Sequence, residues 1–428
     1  MESPPTAASL YVHVPFCAQK CEYCAFYSTT ADGVLVNRYV DALGREIARF
    51  AARSPSPIPP KTVFFGGGTP SLLTLRQWER VLQSFEHAGW LGAAEWTVEC
   101  NPATVSAEKA QLLRAFGVNR VSMGVQSVDD ALLDRLGRVH SRDMVFRSFE
   151  TLRQAGFDNI NVDLMFGIPG QTMEVWRETL REILALGSEH LSCYEVIYEE
   201  DTPLFEQLKA GRFEVDDDLS SEMFERLVDE SASAGFVQYE VANFARTQRA
   251  PSGPAVAEFG RTLPTLPVPA GVPGFACRHN VNYWQGGDYM ALGPSASGYE
   301  SGVRYRNVAN TQLYCDAVEQ GKLPRDWSEE LPSLARAGEI AAFGLRMNMG
   351  WRWEAFLRAT GFDLRGEWAS EMLALEAKGW GVREHDGFRL TQRGLRFADD
   401  AGSEFLRTAE PLYTPTASPY VAASWQKR

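Results

Sequence analysis

The sequence predicts an α/β fold: an incomplete (β/α)6 barrel of the TIM type, followed by a small α+β, winged-helix-like domain. Three observations support this prediction. Six short apolar runs alternate with helical patterns, unusual polar residues and glycines collect at the ends of these runs, and the pattern changes after residue 245. Strands that alternate with helices are typical of parallel sheets. Because a closed barrel of this kind needs eight units, six units predict a barrel that is open on one side.

The predicted strands are short runs rich in Val, Phe and Tyr. They cover residues 10–14, 62–65, 96–99, 120–125, 160–165 and 191–197. Apolar residues at helical spacing lie between them. They predict helices at 36–51, 75–88, 107–116, 142–155 and 173–186, and a helix at 220–234 closes the sixth unit.

Residues that could bind a ligand or a metal lie at or near the carboxyl ends of these strands. A cysteine triplet follows the first strand, glycines 66–68 follow the second, Glu99 and Gln126 close the third and fourth, and Asp163 lies within the fifth. Active sites of parallel α/β folds gather at this edge of the sheet. The sequence therefore predicts one site at the carboxyl edge of the barrel.

The chain divides into five predicted segments. Residues 1–245 form the partial barrel, and 246–275 are a Pro/Gly-rich insertion in which no periodicity survives, as expected for a flexible surface loop. Residues 276–325 flank the barrel. A helix, a hairpin and a last helix within 326–408 predict the C-terminal domain, and 409–428 read as a disordered tail.

Composition limits the possible functions. The 428 residues carry a net charge of −13 at pH 7, which argues against a nucleic-acid surface because such surfaces neutralise phosphates with Lys and Arg. No apolar run is long enough to span a bilayer. The N-terminus lacks the features of secretory and transit peptides. We therefore expect a soluble, cytoplasmic protein.

The sharpest feature is a cysteine triplet, Cys17, Cys21 and Cys24, among seven cysteines in the chain. A structural zinc site usually has four ligands in two pairs, and redox chemistry needs only two cysteines. Thiolates are the usual ligands of iron–sulfur clusters. Three close thiolates without a near fourth predict a cluster with one iron open to another ligand.

The stretch YVHVPFCAQKCEYC, at residues 11–24, resembles the cluster loop of the radical S-adenosylmethionine superfamily. More narrowly, it resembles the branch that holds oxygen-independent coproporphyrinogen III oxidase and the HemW haem chaperones, with matching motifs to about residue 307. The resemblance implies a [4Fe-4S] cluster on Cys17, Cys21 and Cys24. It also implies S-adenosylmethionine at the open iron, cleaved by an electron from the cluster to a 5′-deoxyadenosyl radical.

The resemblance further implies which residues contact S-adenosylmethionine. Glycines in the loop that follows the second strand let the backbone approach a ligand closely, although a purely structural turn would use them too. A carboxylate suits ribose hydroxyls, and a lone buried Asp needs a partner. Taken singly, each residue has a structural alternative. The implied contacts are Tyr11, Tyr23, Gly67, Gly68, Thr69, Glu99, Gln126, Arg138, Asp163 and Ile197.

Three features favour the chaperone side of this branch. Phe26 stands where the oxidase has a further cysteine, only ten residues precede Tyr11, and the stretch HNVNYW at 279–284 matches the HNxxW motif of haem chaperones. The resemblance therefore implies haem binding and delivery to haem-requiring, respiratory proteins at the cytoplasmic face of a membrane, and a homodimer. The alternative is the oxidase itself, which decarboxylates coproporphyrinogen III by radical chemistry.

His279 is the candidate haem-iron ligand, and Trp284 is placed to stack on the macrocycle. Neutral imidazole suits haem iron, but Cys277 is a rival thiolate, and a hydrogen-bonded structural histidine is the alternative interpretation. Ser297 replaces a histidine that the family pattern expects. The insertion just before Cys277 is positioned to cover or gate the same site.

Overall fold

The computed structural model describes residues 8–53, 58–248 and 271–407. Within these ranges a 12-stranded mixed sheet forms the body of the molecule, and a separate three-stranded sheet lies in the C-terminal part. Most of the predicted insertion, residues 249–270, and all of the predicted tail at 409–428 lie outside the described residues.

The strands alternate with helices through the first half of the chain, as predicted. The strands are β1 Ser9–Val14, β2 Phe16–Cys17, β3 Thr29–Thr30, β4 Thr62–Gly67, β5 Glu95–Cys100, β6 Arg120–Gln126, β7 Ile160–Phe166, β8 His190–Glu195, β9 Val237–Gln238, β10 Asn243–Ala245, β11 Tyr289–Leu292, β12 Ser297–Glu300, β13 Val303–Asn307, β14 Arg325–Glu330, β15 Trp351–Arg352, β16 Gly381–Arg383 and β17 Gly387–Leu390.

The helices cover the outside of the sheet and build the C-terminal part. They are α1 Gly33–Ala51, α2 Leu75–His87, α3 Ala107–Ala115, α4 Asp130–Arg135, α5 Arg142–Gln154, α6 Met173–Ala185, α7 Pro203–Lys209, α8 Asp217–Ser233, α9 Arg278–Trp284, α10 Thr311–Glu319, α11 Ser333–Gly344, α12 Trp353–Thr360, α13 Leu364–Glu367, α14 Ala369–Ala377, α15 Gln392–Leu395 and α16 Ala398–Ser403. None of these helices, within the described ranges, combines the length and apolar character that a membrane crossing requires.

Six parallel strands form the heart of the sheet, in the order β1-β4-β5-β6-β7-β8. Beyond β1 the sheet continues with parallel β11 and then antiparallel β12, β13 and β14, while antiparallel β10 and β9 extend the other side. The two ends of the described sheet do not pair, so the prediction of an incomplete barrel is confirmed. The sixth strand ends at Glu195, earlier than predicted, so Ile197 lies in the segment after it.

The strands bury both faces, and the two faces differ in character. Residues that face the helices are apolar and fully buried, for example Val12, Phe65 and Val98. Each such side chain stabilises the fold by about 1.5–3 kcal/mol. The opposite face contains polar side chains that are also buried, including Arg120 and His190. Because buried polar groups are costly without partners, this inner face must form its own hydrogen-bond network.

The C-terminal part is a small α+β unit, as predicted. Strands β15, β17 and β16 form its sheet, and helices α11–α16 pack around a separate core that includes Trp351, Phe356, Trp368 and Phe388. The predicted boundary between residues 325 and 326 falls inside β14, which pairs with β13 of the main sheet. The C-terminal unit therefore begins after Glu330.

A buried carboxylate fixes helix α1 to the segment that follows β11. Glu46 accepts hydrogen bonds from the Gly293 N–H at 2.9 Å, the Asn307 amide at 3.2 Å and the Tyr314 hydroxyl at 2.7 Å. Burial raises the pKa of Glu46 to about 7, and these three donors oppose that rise. Glu46 thereby aligns the added strands with the barrel.

We predict that Glu46→Ala destabilises the protein by about 3 kcal/mol or more, because three buried donors lose their acceptor. Denaturant unfolding followed by tryptophan fluorescence measures this change. Glu79→Ala, on the exposed face of α2, is the control and should unfold like the wild type. Equal midpoints for wild type and Glu46→Ala would contradict the role assigned to this carboxylate.

Candidate functional site

A cavity of about 590 Å³ opens at the carboxyl ends of the six parallel strands. Every residue that the sequence predicted for the cluster and for the cofactor lines this one cavity. They are Tyr11, Cys17, Cys21, Tyr23, Cys24, Gly67, Gly68, Thr69, Glu99, Gln126, Arg138, Asp163 and Ile197.

The cysteine loop is held against two other loops at the same edge. The Glu22 N–H donates to the Leu136 carbonyl at 3.0 Å, and the Leu204 N–H donates to the Glu22 carbonyl at 2.9 Å. A tight turn between Cys21 and Cys24 brings their backbones together, with 3.3 Å between the Cys24 nitrogen and the Cys21 oxygen. These bonds fix the loop that carries the thiols without using the thiols themselves.

The thiols face hydrogen-bond donors. Thr69 Oγ1 lies 3.7 Å from Cys17 Sγ, and Arg138 Nη1 lies 3.5 Å from Cys21 Sγ. Burial raises the pKa of the Cys24 thiol, the Phe26 backbone hydrogen bond opposes that rise, and the neighbouring thiols add to it. Donors aimed at sulfur are typical of protein-bound iron–sulfur clusters, whose properties they adjust.

The donor set fits a cluster better than a single metal ion. Within the described ranges, no three His, Cys, Asp or Glu side chains converge closely enough to hold one ion. A zinc ion requires its ligands at about 2.0–2.3 Å from one point. In a cluster each thiolate binds a different iron, so the three thiols need not converge on one point.

The glycine loop after β4 permits an approach that a side chain would block. A Cβ on Gly67, whose φ is +102°, would stand 2.3 Å from the His13 ring, and one on Gly68 would stand 2.7 Å from two backbone oxygens of the first strand region. The N–H groups of Gly68 and Thr69 donate at 2.8 Å to the carbonyls of Val14 and Phe16. These two N–H groups are therefore engaged by the first strand region and are not available as donors to a ligand.

Two carboxyl groups in the cavity are electrostatically coupled. Burial raises the pKa of Glu99 to about 8, and the charge of Asp163 contributes to this rise. Burial also raises the pKa of Asp163, although Asn161 and Ser122 donate hydrogen bonds to it. Both side chains line the cavity, so a bound cation or hydrogen-bond donor would lower the free-energy cost of ionising both carboxyls.

Arg138 and Gln126 place polar groups in the cavity wall where a ligand could contact them. Arg138 Nη2 donates to the Gly124 carbonyl at 2.6 Å, yet its buried Nε–H has no hydrogen-bond partner among the described residues. Gln126 has a φ of +68°, a conformation that costs an L-residue about 1 kcal/mol or more and is concentrated at functional sites. The residues present therefore fit a polar cofactor in this cavity.

The structure does not bring the haem candidates to this cavity. His279 and Trp284 lie on helix α9, which contacts the first residues of β4 and β5 through Thr62 and Glu95. These residues mark the amino edge of the sheet, whereas the cavity lies at the carboxyl edge. A six-residue strand spans about 20 Å, so the two groups of candidates are separated by the length of the barrel.

His279 is sealed by its neighbours in this conformation. Its Nδ1 lies 2.8 Å from Thr62 Oγ1 and its Nε2 lies 2.7 Å from the Tyr283 hydroxyl, and the side chain is 1% exposed. Burial, followed by the charge of Arg120, lowers the pKa of His279 to about 3. Both nitrogens are occupied, as in the hydrogen-bonded structural alternative.

The other haem candidates are also enclosed or displaced. Cys277 is buried with its Sγ 3.6 Å from a Glu95 oxygen, and burial raises its pKa to about 12. Trp284 packs beside Phe343 of α11, and the Arg346 guanidinium lies 5.1 Å from its ring centre. Ser297 is exposed at the start of β12. The haem assignments stay predictions.

Sequence reasoning missed several residues of the cavity wall. Ser122 and Tyr194 line it from the inner faces of β6 and β8, and the period of two along each strand could have identified both. Phe26 and Ile197 are 70% and 62% exposed at the cavity mouth. The sequence marks Phe26 only by its resemblance to the family pattern, because exposure in a loop leaves no periodic signal.

Comparison with known proteins gives relatives that match most of the chain. A profile described as the Radical SAM superfamily matches residues 11–183. The chain is 32% identical over 401 residues to the heme chaperone HemW of Bacillus subtilis, covering 93% of this chain and 99% of that protein. It is 35% identical over 298 residues to the heme chaperone HemW of Escherichia coli K12, covering 68% and 69%. Mouse radical S-adenosyl methionine domain-containing protein 1, mitochondrial, is 33% identical over 417 residues, covering 93% and 87%.

A solved structure shares the whole architecture. Coproporphyrinogen III oxidase (HemN) from Escherichia coli, a radical SAM enzyme, matches with a TM-score of 0.77 at 20% identity, covering 94% of this chain and 91% of that one. Because the sequence identity is 20%, this structural similarity establishes the fold alone. The predicted α/β radical SAM fold is confirmed.

We predict that the Glu99→Gln variant becomes more stable than the wild type as the pH rises, when both proteins are measured without cofactor. The folded carboxyl stays protonated up to a pKa of about 8, while in the unfolded chain it ionises near 4.5. Unfolding therefore releases a proton between these values, and wild-type stability falls from about pH 5 to pH 8 by about 1.4 kcal/mol per unit of pKa difference. Glutamine removes this loss.

Thermal unfolding at pH 5, 6, 7 and 8 tests this. The thermal midpoint of Glu99→Gln minus that of the wild type should increase by at least about 2 °C between pH 5 and pH 8. Glu79→Gln, at an exposed site, should give a curve parallel to that of the wild type. A Glu99→Gln curve that is also parallel would show that this carboxyl ionises normally.

Proposed function

The chain belongs to the HemW family of heme chaperones within the radical SAM superfamily, and from that premise we propose that it binds haem and delivers it to haem-requiring proteins. The observation that carries this proposal is the near-complete match to curated heme chaperones, 93% of this chain against 99% of the Bacillus subtilis protein. The single cavity that collects every predicted cluster and cofactor residue supports it.

We infer that Cys17, Cys21 and Cys24 hold a [4Fe-4S] cluster and that the cavity holds S-adenosylmethionine. When bound, the cluster supplies one-electron chemistry at the sulfonium of the cofactor. Carbonyl oxygens of the glycine loop suit the cofactor's ammonium group, and Glu99 suits its ribose hydroxyls. The unpartnered Nε–H of Arg138 offers a donor to a carboxylate.

His279 is proposed as the haem-iron ligand, with Trp284 beside the macrocycle and Cys277 as the rival ligand. Because both nitrogens of His279 are hydrogen-bonded, ligation requires helix α9 to move away from Thr62 or to exchange the Tyr283 contact. Helix α9 has only seven residues, and such a short helix depends on its tertiary contacts for stability. Local opening of this segment is therefore the step we propose for haem entry.

The proposed recipients are haem-requiring respiratory proteins at the cytoplasmic face of a membrane, and the proposed assembly is a homodimer. A net charge of −13 would repel anionic lipid as a whole. Any docking to such a membrane must therefore use a local basic or apolar surface. We propose that the barrel carries the cofactor and that the segment after residue 276 carries the haem.

Cluster binding is tested first. Anaerobically reconstituted wild-type protein should contain about four irons and four sulfides per chain, as a [4Fe-4S] cluster requires. Cys17→Ala, Cys21→Ala and Cys24→Ala should each lose most of both. Cys193→Ala removes a buried thiol away from the loop and should keep them. Retention of a full cluster by all three loop variants would contradict the assignment.

Haem binding is tested by titrating haem into the cluster-loaded protein and following the Soret band. We expect saturable binding in the wild type and a loss of about tenfold or more in affinity for His279→Ala, about 1.4 kcal/mol or more. His87→Ala, at the exposed end of α2, is the control. Absence of haem binding, or formation of protoporphyrinogen from coproporphyrinogen III with reductant and cofactor, would favour the oxidase instead.

A further inference from the structure

A chain of buried hydrogen bonds runs through the barrel interior from the cavity to helix α9. Asn161 Nδ2 donates to Asp163 Oδ1 at 2.7 Å, and Asn161 Oδ1 lies 2.6 Å from His190 Nδ1. His190 Nε2 lies 2.9 Å from the Tyr239 hydroxyl, which accepts the Cys277 N–H at 3.2 Å. Asp163 lines the cavity, whereas Cys277 is the N-cap residue of α9. This series of hydrogen bonds therefore joins the two edges of the barrel.

The bonds in this chain share one direction. Since the Asn161 amide nitrogen faces Asp163, its oxygen faces His190, and His190 Nδ1 must carry the proton. Burial and the charge of Arg120 lower the pKa of His190 well below its usual value, so the imidazole is neutral and Nε2 accepts from the Tyr239 hydroxyl. Each donor thus points towards the Asp163 carboxylate, and aligned bonds of this kind strengthen one another.

The end of this hydrogen-bond series at Tyr239 anchors the first turn of α9. Glu95 accepts the N–H groups of Arg278 and His279, both at 3.0 Å, and Tyr239 accepts that of Cys277. Tyr239 is itself 1% exposed and lies outside the cavity wall. Of the two side chains that hold this turn, Tyr239 is the one that the hydrogen-bond chain connects to Asp163.

We propose that Tyr239 is a positioning residue that couples occupancy of the cavity to the opening of helix α9. A ligand that donates hydrogen bonds to Asp163 competes with Asn161 and reduces the polarisation along the chain. The Tyr239 oxygen then holds the Cys277 N–H less tightly, and α9 opens more often. Opening exposes the nitrogens of His279. This inference rests on the proposed function, because it takes S-adenosylmethionine as the ligand.

Amide hydrogen exchange of the cluster-loaded full chain tests the coupling. S-adenosylmethionine is added without reductant, and its binding is measured separately by equilibrium dialysis. In the wild type, saturation with S-adenosylmethionine should raise exchange in peptides that cover 278–284 by about fivefold, the lower end of typical coupling between sites. Peptides that cover α10 should not respond.

Two variants identify the path. Tyr239→Phe removes the hydroxyl but keeps the ring, so exchange of α9 should already be raised without cofactor and should no longer respond to it. Cofactor affinity should change by no more than about fivefold, because Tyr239 does not line the cavity and coupling between two sites is reciprocal. Tyr305→Phe is the matched control, since it removes a buried hydroxyl that accepts the Ala291 N–H and is not part of this chain. It should respond like the wild type.

The outcomes separate the two proposals. If the cofactor does not bind to cluster-loaded wild type, the proposed function fails and the coupling fails with it. If it binds while wild-type exchange at 278–284 stays constant, only the coupling is overturned. A response of Tyr239→Phe equal to that of the wild type also overturns it. The wild-type comparison decides the matter even if a variant does not fold.

Discussion

The rest of the structure depends on how the barrel satisfies polar groups that water does not reach. The inner faces of the parallel strands carry charged and amide side chains, among them Arg120, Asn161 and His190, each at most 2% exposed. Buried groups of this kind cost about 1–3 kcal/mol each when they lack partners. Asn161 and His190 bond to each other inside the barrel, and the apolar side chains that face the helices supply the favourable burial that keeps this interior closed.

This requirement links the two edges of the barrel. At the carboxyl edge the polar side chains are incompletely satisfied: burial and the charge of Asp163 raise the pKa of Glu99 to about 8, and the Nε–H of Arg138 has no partner among the residues described. At the amino edge Glu95 and Tyr239 hold the start of α9 by accepting hydrogen bonds from its first N–H groups. One edge is thus prepared for a ligand, whereas the other must open before it can bind one.

Much of this arrangement followed from the sequence. Alternating strands and helices predicted the open barrel, and the rule that sites lie at strand ends predicted which residues share the cavity. The sequence did not reveal that α9 lies at the opposite edge, because β11 adds to the far side of β1 through a non-local parallel pairing. Nor could it show that the nitrogens of His279 are occupied, since Thr62 is distant in the chain. Local patterns encode strands and faces, but not which distant elements meet.

The proposed cluster and the proposed haem occupy opposite edges of one barrel. An anomalous-difference map at the iron edge, from crystals of the protein loaded with both, tests this most directly. The account predicts two separate iron positions, one beside Cys17, Cys21 and Cys24 and one beside α9, roughly 20 Å apart or more, as the length of the strands requires. A haem iron inside the cavity, next to the cluster, would contradict it.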